Sequence, residues 1–522
     1  MAGARVVDAI WTAATDQDFQ VGTNWYERYV GFMLADEWPD SGSTLSMDDV
    51  ATGFPPTSNK PAAGTFHFYA EQGNAVTDAD FLDGAEVGNV TADTGGTYNA
   101  SLPITGNVAL GSDSPVFVLN ENVEVGGTFE ALSGTITASD AFVLTLTSAM
   151  TGNGFEIDWA NGLLDIEGGI EGTGVSHSNA AQDNGANTLI CTLTANLNLG
   201  GTDATGLAIE INTVGTVTPT AAVVCGTFAL VAGTYAASAI DHTVYGNLCL
   251  TDATLGAQTG TWRMAANGTL DNDAAAQIKL SIDAGVTVTG AGSSVYVKSI
   301  AGAGNFTTAA GHLYVNQLAA AGNNKWAITG TVTVTGGAAV QYILGGAAET
   351  NATPIVVAGP LVVGGQNGFK LTAPHVSSTT LQVTGDTNAR KVMLATPKLQ
   401  TGAVTLGLAA TTGDGGLVLT GTAAIESLGY VGTGENTVTL TNAYLQCSGA
   451  IVGETADSYL IVNTGVAHTS HIEGLGTGSI DWVDPDLAVH CHNMSDGGNN
   501  GARLDFNAYA PPGSRALCGC GV

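Results

Sequence analysis

The residues best suited to chemistry gather near the end of the chain. His468 and His471, then His490, Cys491 and His492, then Cys518 and Cys520 follow one another closely there. Imidazole nitrogen and thiolate sulfur are zinc ligands, and a tetrahedral structural site needs four of them. In an extended segment His490 and His492 share one face, as do Cys518 and Cys520 on another. The candidate metal ligands are therefore His468, His471, His490 and His492. No spacing among them matches a standard finger, and the polar turns of a cap account for the same residues. The nearby Asp481, Asp484 and Asp486, and the Asp/Gly/Asn run 496–500, offer hard oxygens for calcium. They fit neither the helix–loop–helix calcium loop nor a nonapeptide repeat. No cofactor is expected.

A second constellation lies at Glu156, Asp158 and Trp159, followed by Asp165, Glu167 and Glu171. On a strand, Glu156 and Asp158 fall on one face and Trp159 on the other. Two carboxylates about 5–10 Å apart can cleave a glycosidic bond, but a solvated strand face carries the same residue types. There is no Gly-x-Ser-x-Gly elbow and no phosphate-cradling loop ending in Gly-Lys. Gly290-Ala291-Gly292 and Gly302-Ala303-Gly304 read as turns, because no helix follows either. The expectation is a protein without enzymatic activity, with a glycan-degrading spike as an alternative.

The elements that must position these residues are strands. Segments such as 330–336 (GTVTVTG) and 436–442 (NTVTLTN) recur about every ten residues, each alternating with period two and closed by turn residues. Glycine supplies 72 of 522 residues, as many tight turns require. Candidate strands include 116–119, 142–146, 188–193, 228–231, 286–289, 295–297, 313–315, 341–344, 355–357, 361–363, 381–384, 404–406, 417–420 and 437–440. Their spacing leaves no room for crossover helices, so a doubly wound sheet is excluded. The prediction is an all-β, long parallel β-solenoid (β-helix) with distinct N- and C-terminal caps. At roughly 20–25 residues per coil this gives on the order of 15 coils, and at about 4.8 Å per stacked strand a rod about 70 Å long.

Three regions follow. Residues 1–95 form a docking or cap domain holding Trp11, Trp25 and Trp38, with a short helix expected near residues 25–34. Residues 96–460 are the solenoid shaft, and residues 461–522 a C-terminal cap or attachment segment. Such caps would cover the strand edges that an open solenoid exposes.

Charge is scarce and one-sided: 13 Lys+Arg against 46 Asp+Glu give a net charge of −33. That field repels phosphate backbones and anionic bilayers, so neither nucleic acid nor membrane is an expected partner. The acid concentrates in residues 1–100, whereas residues 284–425 hold only Glu349, Asp386 and Asp414 against Lys298, Lys325, Lys370, Arg390, Lys391 and Lys398. The uncharged stretch 211–240 is long enough to span a bilayer, but its Pro219, glycines and β-branched residues read as two or three buried strands. Cys191, Cys225 and Cys249 sit in apolar strand-like runs, where cysteine acts as a small hydrophobe. An odd total of 7 cysteines argues against a disulfide framework.

One resemblance bears on function. The string Trp11-Thr12-Ala13-Ala14-Thr15-Asp16, then Asn24-Trp25, Pro39-Asp40 and Asp48-Asp49-Val50 resembles an N-terminal module of β-helical bacterial and phage surface proteins. Ala13 and Phe19 depart from that pattern, which carries glycine and tryptophan there. The repeats that follow are similar to phage fibre, spike and head-decoration proteins, and less so to autotransporter-type adhesin passengers. The resemblance implies a non-enzymatic structural protein of a phage-like virion. It would be made in the host cytoplasm without a leader and displayed on the virion surface. It would assemble as a homotrimer, contact other virion proteins through residues 1–95, and meet host surface glycans. The alternative is an extracellular adhesin that binds such glycans.

Overall fold

The computed structural model describes residues 3–492 and 503–504 apart from internal stretches, chief among them 48–54, 172–186, 316–324, 386–391, 408–414, 464–470 and 474–486. The chain divides into two compact units, Met1–Trp262 and Arg263–Val522. Both are built from parallel strands stacked coil upon coil. The expected solenoid is what forms, with about 14 coils in all.

In the first unit each coil contributes up to three strands. One column runs through Ala75–Thr77, Thr97–Ala100, Val116–Leu119, Thr135–Ala138, Glu156–Trp159 and Asn187–Leu193. A second runs through Val123–Val125, Val143–Leu146, Leu163–Ile166 and Leu197–Leu199. A third runs from Thr44–Met47 through Thr65–Ala70, Glu86–Ala92, Val108–Leu110, Phe129–Ala131 and Met150–Gly152 to Ile170–Glu171. On successive rungs Thr97 aligns with Val116, Val116 with Thr135, and Thr135 with Glu156. One circuit of short strands and turns therefore takes about 20 residues. Strict alternation of buried and half-exposed positions on Thr97–Ala100, Val116–Leu119 and Thr135–Ala138 points every second side chain inward.

Parallel stacking is already present within residues 44–95. Ahead of it, Asp8–Trp11 pairs antiparallel with Trp25–Glu27, which pairs antiparallel with Phe32–Met33. The helix expected near residues 25–34 is therefore a strand pair: Trp25 is fully buried across the sheet from Trp11, and cross-strand burial outweighs any local helical preference. The helical turn lies instead at Asp78–Phe81. It drives Phe81 among Trp11, Trp25 and Phe68, with ring centroids 5.9–6.2 Å apart.

Partway through the second unit the coils lengthen. Phe306 aligns with Val332, and Val332 with Val357, so a circuit there takes about 25 residues. Val376–Gly385, Val392–Leu406 and Gly415–Ile425 run on through coil corners as strands of 10, 15 and 11 residues. Stacking continues through Ser458–Asn463 to Leu487–His492, and through Tyr444–Cys447 and His471–Glu473 to Arg503–Leu504. Glycine is required where coils close tightly. Gly302 adopts φ +101°, and a Cβ there would collide with the Ile282 carbonyl. The uncharged stretch is strand, as read: Ala204–Pro219 pairs in parallel with Val224–Tyr235. Among the described residues no helix is long and apolar enough to cross a membrane.

Candidate functional site

Outward positions decide what such a scaffold can touch, and in both units many are occupied by small polar side chains bonded to the next coil. Asn89 Oδ1 accepts the Asn107 N–H at 2.9 Å, and Asn107 Oδ1 accepts the Thr128 N–H at 2.9 Å. Asn122 receives Val143 N–H, Asn267 receives Thr287 N–H, and Asn305 receives Thr331 N–H, all at 2.8–2.9 Å. Each bond spans one coil. These asparagines satisfy backbone donors at coil corners, where the ladder is interrupted.

The second unit carries a different outward column. Tyr296 aligns with Tyr314, then Gln341, Val362, Gln382 and Thr405 on successive rungs. All are half-buried. The two tyrosine rings stack with centroids 4.7 Å apart and planes within 5°. His312 packs edge-on to Tyr314 at 5.7 Å, and its Nδ1 accepts the Ala339 N–H at 3.0 Å. Tyr296 is clamped from within: Asn272 Oδ1 accepts its N–H at 3.0 Å and Asn272 Nδ2 donates to its carbonyl at 2.6 Å. Partial burial, then the neighbouring Tyr296, hold the Tyr314 phenol above its ordinary range. Lys298, two positions beyond Tyr296, is lowered by burial and then by Lys279. A fixed aromatic surface followed by amide side chains can hold a flat, hydroxyl-bearing ligand by stacking and hydrogen bonding.

The carboxylates singled out in the sequence are distributed over three strands. Glu156 and Asp158 lie on one strand, in register with Thr135 and Thr137. Asp165 lies on the next, aligned with Thr145 and Asn198, and Glu171 on a third, aligned with Thr151. The three strands belong to different columns, with Glu156 and Asp158 together on the first. Of the proposed metal ligands, His471 and the pair His490 and His492 lie on separate strands, which pair with Tyr444–Cys447 and Ser458–Asn463 respectively. His468, the side chains of the other three, Cys518 and Cys520 lie outside the described residues. Cys225 is buried as read, and burial pushes its thiol up.

Three buried polar clusters escaped the sequence. Asp78 accepts hydrogen bonds from Tyr98 Oη (2.8 Å) and the N–H groups of Ala79, Ser101 and Leu102. Burial raises its carboxyl against the pull of those donors. His242 is fully buried beside Trp262, its Nδ1 accepting the Val223 N–H and its Nε2 facing Tyr235 Oη at 3.2 Å. Burial lowers it to about 4. The third joins Lys325, Tyr342, Glu349 and Asn351. Its one available signal was the isolation of Lys325 and Glu349 in an otherwise uncharged stretch. Comparison with family models, curated proteins and solved structures returned no match.

Proposed function

We propose that the chain is a non-enzymatic structural protein of a phage-like virion, displayed on the particle surface as a fibre, spike or head decoration. The observation that carries this reading is the bonding of outward side chains from coil to coil. Asn89, Asn107, Asn122, Asn267 and Asn305 spend their carbonyl oxygens on the neighbouring backbone, which suits a stiff shaft more than a mobile cleft. The acidic start of the chain and the resemblance of residues 11–50 to a docking module support attachment through residues 1–95, with the homotrimer as the assembly matching a threefold position. Immunogold labelling of purified particles tests it. Label at symmetric surface positions is expected, and protein found only in the particle-free fraction would overturn the reading. Light scattering should give three times 52.4 kDa; a 52.4 kDa species would remove the trimer.

The column at Tyr296 and Tyr314 favours a second reading, adhesion to surface glycans. Binding of the purified protein to a glycan array, lost in Tyr314→Ala, is the expected result. An array without signal above background would remove this reading and leave the first standing.

A further inference from the structure

Lys325 and Glu349 meet inside the second unit, 24 residues and one coil apart, with side chains only 6% and 0% exposed. The Lys325 ammonium contacts Glu349 Oε1 directly. Glu349 Oε2 accepts a hydrogen bond from Tyr342 Oη at 3.1 Å. The same hydroxyl lies against the Asn351 carboxamide, 3.1 Å from Nδ2 and 3.3 Å from Oδ1. Asn351 Oδ1 also faces, at 3.5 Å, the N–H of Trp326, the residue that follows Lys325. A primary amine, a carboxylate and a carboxamide thus share one dry interior, where Lys325, Tyr342, Glu349 and Asn351 are all buried.

That grouping is costly as a mere ion pair, because two desolvated charges rarely repay their burial. It is also well composed for a reaction. A buried amine beside a carboxylate can give up a proton to become a nucleophile. A carboxamide is an electrophile whose leaving group, ammonia, departs irreversibly from a closed interior. We propose that Lys325 and Asn351 join in an intramolecular isopeptide bond, formed by the folded chain itself with Glu349 as proton carrier.

The steps balance without any further reagent. Glu349 takes one proton from the Lys325 ammonium. The neutral Nζ attacks Cγ of Asn351, forming the N–C bond, while Tyr342 Oη lies beside Oδ1 to steady the developing oxyanion. One amine hydrogen and the proton held by Glu349 pass to Nδ2, the Cγ–Nδ2 bond breaks, and ammonium leaves. Glu349 returns as the carboxylate. Burial lowers the Lys325 amine to about 8, so its neutral form is within reach at neutral pH. The product is a covalent rung linking two successive coils.

Intact mass of the full chain under denaturing conditions reads the reaction directly. The expected result is a deficit of one ammonia, about 17 Da. Tandem mass spectrometry should localise it to a branched peptide joining Lys325 to Asn351. Lys325→Arg and Glu349→Gln should each restore the full mass while keeping the wild-type far-ultraviolet circular dichroism spectrum. A wild-type chain at its full mass would overturn the proposal and leave an ion pair only. So would a deficit of one water, about 18 Da, at Glu349, which would mean condensation with the carboxylate instead. Neither outcome depends on any variant folding.

Discussion

The two units stack coils by the same rule but fill them differently. The interior at the start of the first unit is aromatic: Trp11, Phe19, Trp25, Phe68, Phe81, Tyr98, Phe117 and Phe129 are all buried, with neighbouring ring centroids 4.9–6.2 Å apart. The second unit is lined chiefly by valine, leucine and isoleucine, such as Val288, Val295, Leu313, Val340, Leu361 and Leu381. Within it lies the polar cluster of Lys325, Tyr342, Glu349 and Asn351. Short coils thus enclose rings at the start of the first unit and aliphatic side chains at Val288 and Val295, while the longer coils through Val332 and Val357 hold aliphatic side chains beside the polar cluster. Coil length alone does not dictate core chemistry. Each core must still fill its circuit to native density.

The sharpest way to break this contrast is to empty both cores. Phe117→Ala should cost about 3–5 kcal/mol and Leu313→Ala about 2–5 kcal/mol, read as denaturant midpoints with domain-resolved probes. Each loss should stay within its own unit; a fall in both transitions from either variant would dissolve the distinction between them. Next in size is acid sensitivity. His242 has a folded value of about 4 against an ordinary 6.5, so the unfolded chain binds a proton that the folded one refuses. Its contribution is complete above pH 6.5 and is lost as pH falls toward 4, about 3 kcal/mol in total. Stability of the first unit measured at pH 7 and pH 4 should show this drop, and His242→Gln should flatten it. An unchanged drop in that variant would assign the effect to other groups.

Smaller effects probe polar contacts. Tyr342→Phe strips a hydrogen bond from buried Glu349 and should cost the second unit about 2 kcal/mol. Asn107→Ala, at a coil corner of the first unit, removes one bond to the Thr128 N–H and should cost about 1 kcal/mol. Smallest of all, Tyr314→Ala should shift stability by under about 1 kcal/mol while abolishing contact with a stacking ligand. If Tyr314→Ala destabilises as much as Phe117→Ala, the outward tyrosines belong to the core and not to a contact surface.

The shaft was legible because its signal is local. Alternation in 313–315, 332–334 and 437–440 states directly which residues face inward, and turn glycines mark the ends. The clusters around Asp78, His242 and Lys325 were not, because each depends on residues brought together by a whole coil. Lys325 meets Glu349 24 positions away, and coil length had to be known before that pairing could be read. The stacked tyrosines, aligned on successive rungs, were hidden for the same reason. The expected helix near residues 25–34 failed because a tryptophan pair across a sheet, Trp11 and Trp25 at 4.9 Å, has no local signature. The carboxylates at 156–171 are neighbours in sequence, and the coil spreads their backbones over three columns while Glu156 and Asp158 stay on one strand.

The near-constant step between aligned rungs from Thr97 to Glu156 makes the coil there a unit of inheritance. Duplication or loss of one whole circuit keeps every inward residue inward, keeps each corner asparagine beneath a backbone donor, and changes length by about 4.8 Å. A change of half a circuit would bring the wrong columns into register and turn apolar rows to water. Length in such a chain can therefore be adjusted by small tandem copying events, in quanta, with the folding rule intact at each.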